Sequence, residues 1–420
     1  MSSCFGSCCD AYGKGAGKRL MVAALPMLKR TLAWVVGFAA LVILIASSAT
    51  QHVDNALYDA HMRHWSYPTS DEVLIVAIDP QSLAKLGNWP WPRSVHAQLV
   101  ERLTEAGVRG IGVDITMAEP DINHPDNDRA FADAIHRNGH VVMPVFAEAG
   151  DQGGILEEVL PTPEITQNAA ALGHVDASKD PDGVTRGVYL KAGLGQPQWS
   201  AFARALYNSG NPNPLQTLPG LRRPDGQLAS PYQWVRDNYL LIRFAGNRGS
   251  FDQVSYIDVL QGRVSSALLR GRWILIGATA AGLGDQLATS ASGGNDPMPG
   301  VEYQANILQS LYNNSLITPL NLPTQLLIGS LMLALPLAIF GLPGFRRTWQ
   351  VGLVALVTTP LLSLLLLRVF AIWWAPGCCL LVTALGLAAH IALRRFDRLY
   401  EQRMMAQLPA NVAWWSKETG

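Results

Sequence analysis

Long apolar stretches stand near both ends of this chain, and a polar stretch several times longer lies between them. The first run, residues 31–49 (TLAWVVGFAALVILIASSA), carries no charge and can cross the roughly 30 Å hydrocarbon core of a bilayer as a helix. Three further runs crowd towards the C-terminus at residues 324–342, 351–370 and 371–393. Each contains Gly or Pro, which membrane helices tolerate. Arg368 lies close to the outer end of the third run, where its long side chain can snorkel to the interface. Trp373 and Trp374 open the fourth run and read as an interfacial anchor. Charged residues make up only 15% of the chain, against roughly a quarter in soluble proteins. The shortfall is concentrated in the four runs, so residues 50–322 form a separate domain with length enough for its own core.

The placement of basic residues orients these runs. Lys14, Lys18, Arg19, Lys29 and Arg30 precede the first; Arg346 and Arg347 separate the second from the third; Arg394, Arg395 and Arg398 follow the fourth. With positive clusters inside, residues 1–30 and 394–420 are cytoplasmic tails and residues 50–322 lie outside the cytoplasm. The expected location is a bacterial inner membrane, crossed four times. Two alternatives stand beside this. Ala46-Ser47-Ser48-Ala49 resembles the cleavage site of a signal peptide, although the preceding basic region is long for one. The four helices also suit a transporter, but they bury no acidic residue for ion coupling, and His390, the other candidate there, lies close enough to the end of its run to be interfacial.

Basic and acidic residues balance at 32 each, which excludes the basic excess of a nucleic-acid binder. Of five cysteines, Cys4, Cys8 and Cys9 precede the first run and Cys378 and Cys379 lie in the last. None falls between residues 50 and 322, so that domain has no internal disulfide. Cys4, Cys8 and Cys9 lack a second pair or a nearby histidine and read as part of a tail rather than a metal or lipidation cluster.

Residues 54–65 read as a helix continuing from the first run. Residues 73–78 (VLIVAI) form a continuous apolar run of buried-strand type. Ser94 is placed to cap a helix over 96–106 with Leu99, Val100 and Leu103 on one face, ended by Gly107. Residues 111–115 and 141–146 are strands on either side of a helix at 126–138. This β-α-β-α-β order predicts an α/β domain with a mostly parallel sheet and flanking helices, joined to α-helical membrane spans. Further on, residues 239–244 and 273–276 read as strands, 256–260 as a short helix and 300–312 as a helix. Residues 173–175 and 184–192 read as antiparallel strands.

Several segments recur in one known family: Val76-Ala77-Ile78-Asp79 with Leu86-Gly87; Trp89-Pro90-Trp91-Pro92-Arg93 with His96 and Leu99; Ala106-Gly107; Val113-Asp114-Ile115; Glu119-Pro120. Then follow Gly173-His174-Val175, Asp180-Pro181-Asp182-Gly183-Val184 with Arg186, Gly271 to Ala280 with Gly284-Asp285, and Pro299-Gly300-Val301-Glu302 with Ala305-Asn306. Together they resemble the second type of CHASE domain, the cyclase- and histidine-kinase-associated sensory extracellular domain. The resemblance covers roughly residues 50–320, and the three following helices fit it. It implies an extracytoplasmic sensor that feeds a cytoplasmic output: a histidine kinase, a nucleotide or diguanylate cyclase, or a Ser/Thr kinase.

Candidate ligand-binding residues are Asp79, Trp89, Trp91, Arg93, Asp114, Glu119 and Asp285. Asp79 and Asp114 end predicted parallel strands, the edge where open α/β sheets bind ligands. Asp114 and Glu119 suit a cation or a polar ligand there; helix capping and loop hydrogen bonds explain them equally well. Trp89 and Trp91 suit stacking on a ligand or, between their prolines, packing. Residues 277–285 follow a strand and are rich in small residues. They match neither G-x-G-x-x-G nor a P-loop, which favours a close backbone turn packed on a neighbouring strand. Lys14 to Arg19 also misses the P-loop pattern. His61 and His64 lack the further ligands of a zinc site and read as exposed. Asn313-Asn314-Ser315 matches a glycosylation acceptor, which matters only in a eukaryotic secretory setting. There is no Ser/His/Asp or Cys/His arrangement and no HExxH, so no catalytic residue, cofactor or metal is expected.

Residues 394–420 begin as a helix with Phe396, Leu399, Tyr400 and Met404 near one face, which Pro409 breaks. No kinase or cyclase domain fits in them. The expectation is a receptor whose output lies on a partner or on a longer form of the chain. Its partners would be a small-molecule or envelope ligand, the lipid bilayer, a second copy in a homodimer and a separate cytoplasmic output protein. A scaffold for envelope proteins, or a membrane transporter or enzyme, is the alternative.

Overall fold

The structure, a computed structural model, describes residues 31–32, 34–149, 155–212, 217–223, 229–340 and 348–407. The basic N-terminal tail, Cys4, Cys8 and Cys9, the Arg346-Arg347 pair and Pro409 lie outside these residues. Contacts divide the chain into two compact units, one spanning Ala56–Pro319 and one combining Met1–Asn55 with Leu320–Gly420.

Helix α1 (Trp34–Ala46) is followed, after a four-residue break, by α2 (Gln51–Arg63). The α/β unit begins within α2. Strand β1 (Val73–Ile78) is buried at all six positions, as its unbroken apolar run requires of a strand covered on both faces. Asp79 caps α3 (Pro80–Leu86). Helix α4 (Arg93–Ala106) buries His96, Leu99, Val100 and Leu103, spaced to share one face, and ends at Gly107 in the left-handed conformation. It starts directly after Pro92 and has no side-chain cap, so Ser94 lies inside the first turn. Strand β2 (Gly110–Val113), α5 (Pro125–Asn138) and β3 (Val141–Ala149) complete the predicted alternation.

The chain continues through β4 (Leu156–Val159), α6 (Pro163–Asn168), β5 (Ala171–His174), β6 (Gly187–Leu194), β7 (Trp199–Ala201), α7 (Phe202–Ser209) and β8 (Trp234–Leu241). Then come β9 (Gln253–Ser255), α8 (Tyr256–Leu260), α9 (Ser266–Leu269), β10 (Trp273–Ala278), the hairpin β11 (Gln286–Thr289) and β12 (Gly293–Pro299), and α10 (Gly300–Tyr312). Among the described residues the main sheet has ten strands in the order β8-β6-β7-β5-β3-β2-β10-β1-β9, with β4 on β3. The run from β9 to β7 is parallel; β6 and β8 are antiparallel, as is β4 to β3.

Two expectations shift here. The strand at 173–175 is β5, parallel to β3 and β7, so only its expected partner, β6, belongs to the antiparallel edge. The strand expected at 239–244 lies earlier in the chain, at Trp234–Leu241.

One sheet face is covered by α4, α5, α8 and α9, the other by α7 and α10. Helix α10 is buried from Val301 through Leu311, and its polar residues therefore all need partners. It reaches the sheet at Gly277, where an added Cβ would stand 2.6 Å from the Cβ of Val301. The small-residue stretch after β10 is thus explained in part by close packing, against a helix rather than the expected strand.

The other unit holds α11 (Leu322–Phe340), α12 (Thr348–Phe370) and α13 (Gly377–Gln407). All three are long and apolar enough to cross a membrane; α1 and α2 make a fourth if counted as one broken span. The run expected at 371–393 becomes helical only at Gly377, because Pro376 precedes it and Ala371 takes a positive φ of 52°. Trp374 is 1% exposed and packs with Leu41, Leu333, Cys378 and Val382, so it is an internal wedge of the helix cluster and not an interfacial anchor.

Candidate functional site

The C-terminal ends of β1, β10, β2 and β3 open onto one cleft of about 750 Å³. Strand β10 enters between β1 and β2 from a distant part of the sequence, which makes this edge a switch point where the connections diverge. Ile78, Ala278 and Asp114 form the strand side of the cleft. The Trp89–Arg93 turn, the loop through Glu119 and Asp121, and Phe146 with Glu148 complete it.

The turn before α4 supplies the aromatic wall. Its Trp89–Pro90 peptide is cis. Trp91 is buried on Tyr256 and donates its indole N–H to the Gly87 carbonyl at 3.2 Å. Trp89 is half-exposed and stands edge-on to Trp91, with ring centres 5.0 Å apart. His96 lies behind both, its Nδ1 2.8 Å from the Tyr256 hydroxyl. Burial, with a smaller contribution from Arg93, lowers the His96 pKa to about 4, so the imidazole is neutral at neutral pH.

Arg93 opens α4 and fastens the facing loop. It pairs with the buried Asp128 at 2.9 Å and donates to the Glu119 carbonyl. Asp128 in turn accepts the Asp121 backbone N–H at 2.8 Å. The guanidinium therefore holds the loop in place, and its charge is already matched.

Asp114 follows β2 on the cleft floor and is half-buried. Its carboxylate has no hydrogen-bond or ion-pair partner among the described residues. Burial, reinforced by the nearby Asp285, pushes its pKa from 3.8 to about 7.

The structure thus brings Trp89, Trp91, Arg93, Asp114 and Glu119 together around one cleft. Asp285 stands next to Asp114 without lining the cleft. Asp79 is elsewhere engaged. Its carboxylate accepts the Ser82 N–H at 2.8 Å and the Ser82 and Ser255 hydroxyls at 2.6 and 2.9 Å, which makes it a helix cap and a tie to β9. His96, Asp121, Phe146 and Glu148 also line the cleft and were not among the expected site residues. His96 had a signal, its place in the Trp-rich motif; nothing local marks the other three.

Two further motifs are structural. Arg186, 3% exposed, pairs with Asp59, Asp180 and Asp182 at 2.7–2.8 Å. Burial opposes its charge, but hydrogen bonds from the guanidinium to the three carboxylates outweigh that and raise its pKa. Asp59 belongs to α2, so this node ties the Asp180–Asp182 loop to the helix at the start of the unit. Glu302 accepts the backbone N–H groups of Gly249 and Ser250, and Asn306 accepts that of Ala245, so α10 staples that loop. His61 is half-buried against Trp65, while His64 is exposed as expected; the described residues contain no cluster of three metal-ligating side chains.

No curated protein and no solved structure matches the chain. A family match does exist, to the CHASE2 domain, over residues 35–342. It covers well over half of the sequence and reaches past the α/β unit at both ends, into α1 and α11. The ordered motifs, the sheet they build and this match agree: the chain belongs to the CHASE2 domain family, whose sensory role it shares, and it carries apolar helices after that domain.

Proposed function

We propose that this chain is a membrane signal-transduction receptor whose α/β unit lies outside the cytoplasm and receives its stimulus in the cleft at the sheet edge. The observation that carries the reading is the cleft itself. It is large enough for a small molecule, sits at a switch point of a parallel sheet and belongs to a sensory domain. The topology rests on the basic residues flanking the apolar runs: four crossings of a bacterial inner membrane with both termini inside. A second copy of the chain and a separate cytoplasmic output protein complete the pathway.

Screening a small-molecule library against the full chain in detergent, by thermal shift, tests the site. A true ligand raises the unfolding temperature by mass action. Its effect should fall away in Thr116→Trp, which sets a bulky ring in the cleft from an exposed lining position. Hits that persist in that variant would place the receiving site elsewhere. Sidedness follows from Ile122→Cys, at a position 85% exposed. A membrane-impermeant maleimide should label it on spheroplasts, above the background of the parent chain.

A further inference from the structure

The charges on the cleft wall are one-sided. Asp114, Glu119, Asp121 and Glu148 all line it. The only cation among the described lining residues, Arg93, is matched by Asp128, which lies behind the wall at 6% exposure. His96 is buried, bonded to Tyr256 and neutral. An anion would meet four carboxylates there and no uncommitted positive group.

The rest of the wall is apolar and aromatic. Trp89 is half-exposed at the cleft, which Pro90, Pro92, Met117 and Phe146 also line. An indole ring attracts a cation through its quadrupole, and more strongly where water is excluded. A bare metal ion fits this lining poorly. No three metal-ligating side chains converge among the described residues, and an aromatic wall offers a hydrated ion nothing. A molecule with an ammonium group on an apolar body matches both halves.

Asp114 adds an independent reason. A half-buried carboxylate with no hydrogen-bond partner among the described residues, beside a second carboxylate, gives the fold nothing. Its place on the floor of the cleft suits a group that completes its coordination from solution.

We propose that the cleft selects a small organic cation, whose ammonium is held between Asp114 and the Trp89 ring and whose apolar body lies on the Trp-Pro wall. This rests on the reading of the cleft as the receiving site and names the ligand class it takes.

The test uses isothermal titration of the full chain in detergent at pH 8 with choline, putrescine, agmatine and tyramine. The comparison probes are 3,3-dimethyl-1-butanol, glutarate and magnesium chloride. At least one organic cation should bind saturably and lose at least tenfold in affinity in both Asp114→Asn and Trp89→Ala. Each variant is first shown to unfold cooperatively, so that lost binding is not lost folding. The neutral alcohol, the dianion and magnesium should not bind in the cleft. The cation assignment falls if none of the four binds, or if Asp114→Asn binds as tightly as the parent. If glutarate or the alcohol binds and Thr116→Trp abolishes it, the cleft remains the receiving site and only the ligand class is wrong. If a cation binds equally well to Thr116→Trp, the site itself is misplaced.

Discussion

Arg186 and Asp114 are charged residues of the same α/β unit, and their surroundings differ in the one respect that matters energetically. Arg186 is almost wholly enclosed, yet its guanidinium meets carboxylates from Asp59, Asp180 and Asp182. Asp114 is less enclosed, yet meets no donor among the described residues and has Asp285 for a neighbour. A buried charge that is fully matched is costly to strip of its partner; one left unmatched weakens the fold and persists where something else requires it. The contrast separates scaffold from site within a motif series that looks uniform as sequence.

The largest expected effect comes from undoing the matched case. Arg186→Met leaves three aspartates clustered without their counter-charge and should cost about 3–5 kcal/mol, seen as an early urea midpoint for the full chain in detergent. A cost below about 1 kcal/mol would dissolve the contrast, since that is the level of an exposed ion pair. Glu302 is a further matched charge, satisfied by backbone N–H groups. Glu302→Ala should cost about 1–3 kcal/mol by leaving those donors buried without acceptors, and should speed amide exchange at Gly249 and Ser250.

Asp79 and Asp114 make the sharper pair, because they occupy equivalent places at the ends of the parallel strands β1 and β2. Asp79 caps α3 and ties it to Ser255, so Asp79→Ala should lose about 1 kcal/mol in chemical denaturation. Asp114→Asn should move the other way and gain about 1 kcal/mol or less at pH 8, as substitutions that relieve a strained functional site do. The pH dependence fixes the sign. Asp114 titrates at about 7 in the fold against an ordinary 3.8, so the folded state holds the extra proton between those values. The Asp114 contribution to stability is therefore fully present below about pH 4 and is lost as the pH rises to 7 and beyond. Thermal unfolding of parent and variant should differ at pH 8 and converge at pH 4. A variant that is less stable than its parent at pH 8 would make Asp114 a structural residue.

Much of this architecture follows from local pattern. The all-apolar VLIVAI run becomes a central strand, and the spacing of His96, Leu99, Val100 and Leu103 becomes the buried face of α4. Strand order was not legible. Strand β10 pairs with β1 across some two hundred residues, and no periodicity encodes that partnership. The division of labour between Asp79 and Asp114 was hidden for the same reason, since Ser255, one of the partners that commits Asp79, arrives from a distant strand. Trp374 misled because an aromatic beside an apolar run reads as interfacial, while the turn at Ala371 folds it inward. The late start of α13 was readable from Pro376, whose ring disfavours helix in the residue before it.

One small contact within the helical unit has a wider meaning. Asp54, in the first turns of α2, accepts the backbone N–H of Gly377 at 2.7 Å and the Thr50 hydroxyl at 2.9 Å, and Thr50 reaches the Cys378 sulfur at 3.0 Å. A Cβ at residue 377 would stand 2.8 Å from the Asp54 carboxylate. The foot of one helix is thus plugged into the head of another, and the socket has no slack. The positive end of the α13 dipole is neutralised by a residue that precedes it by more than three hundred positions. Sliding or turning α13 against that foot would strip an anion from a helix terminus. The joint therefore resists small displacements, since any movement that parts the two ends costs the Gly377 N–H its acceptor.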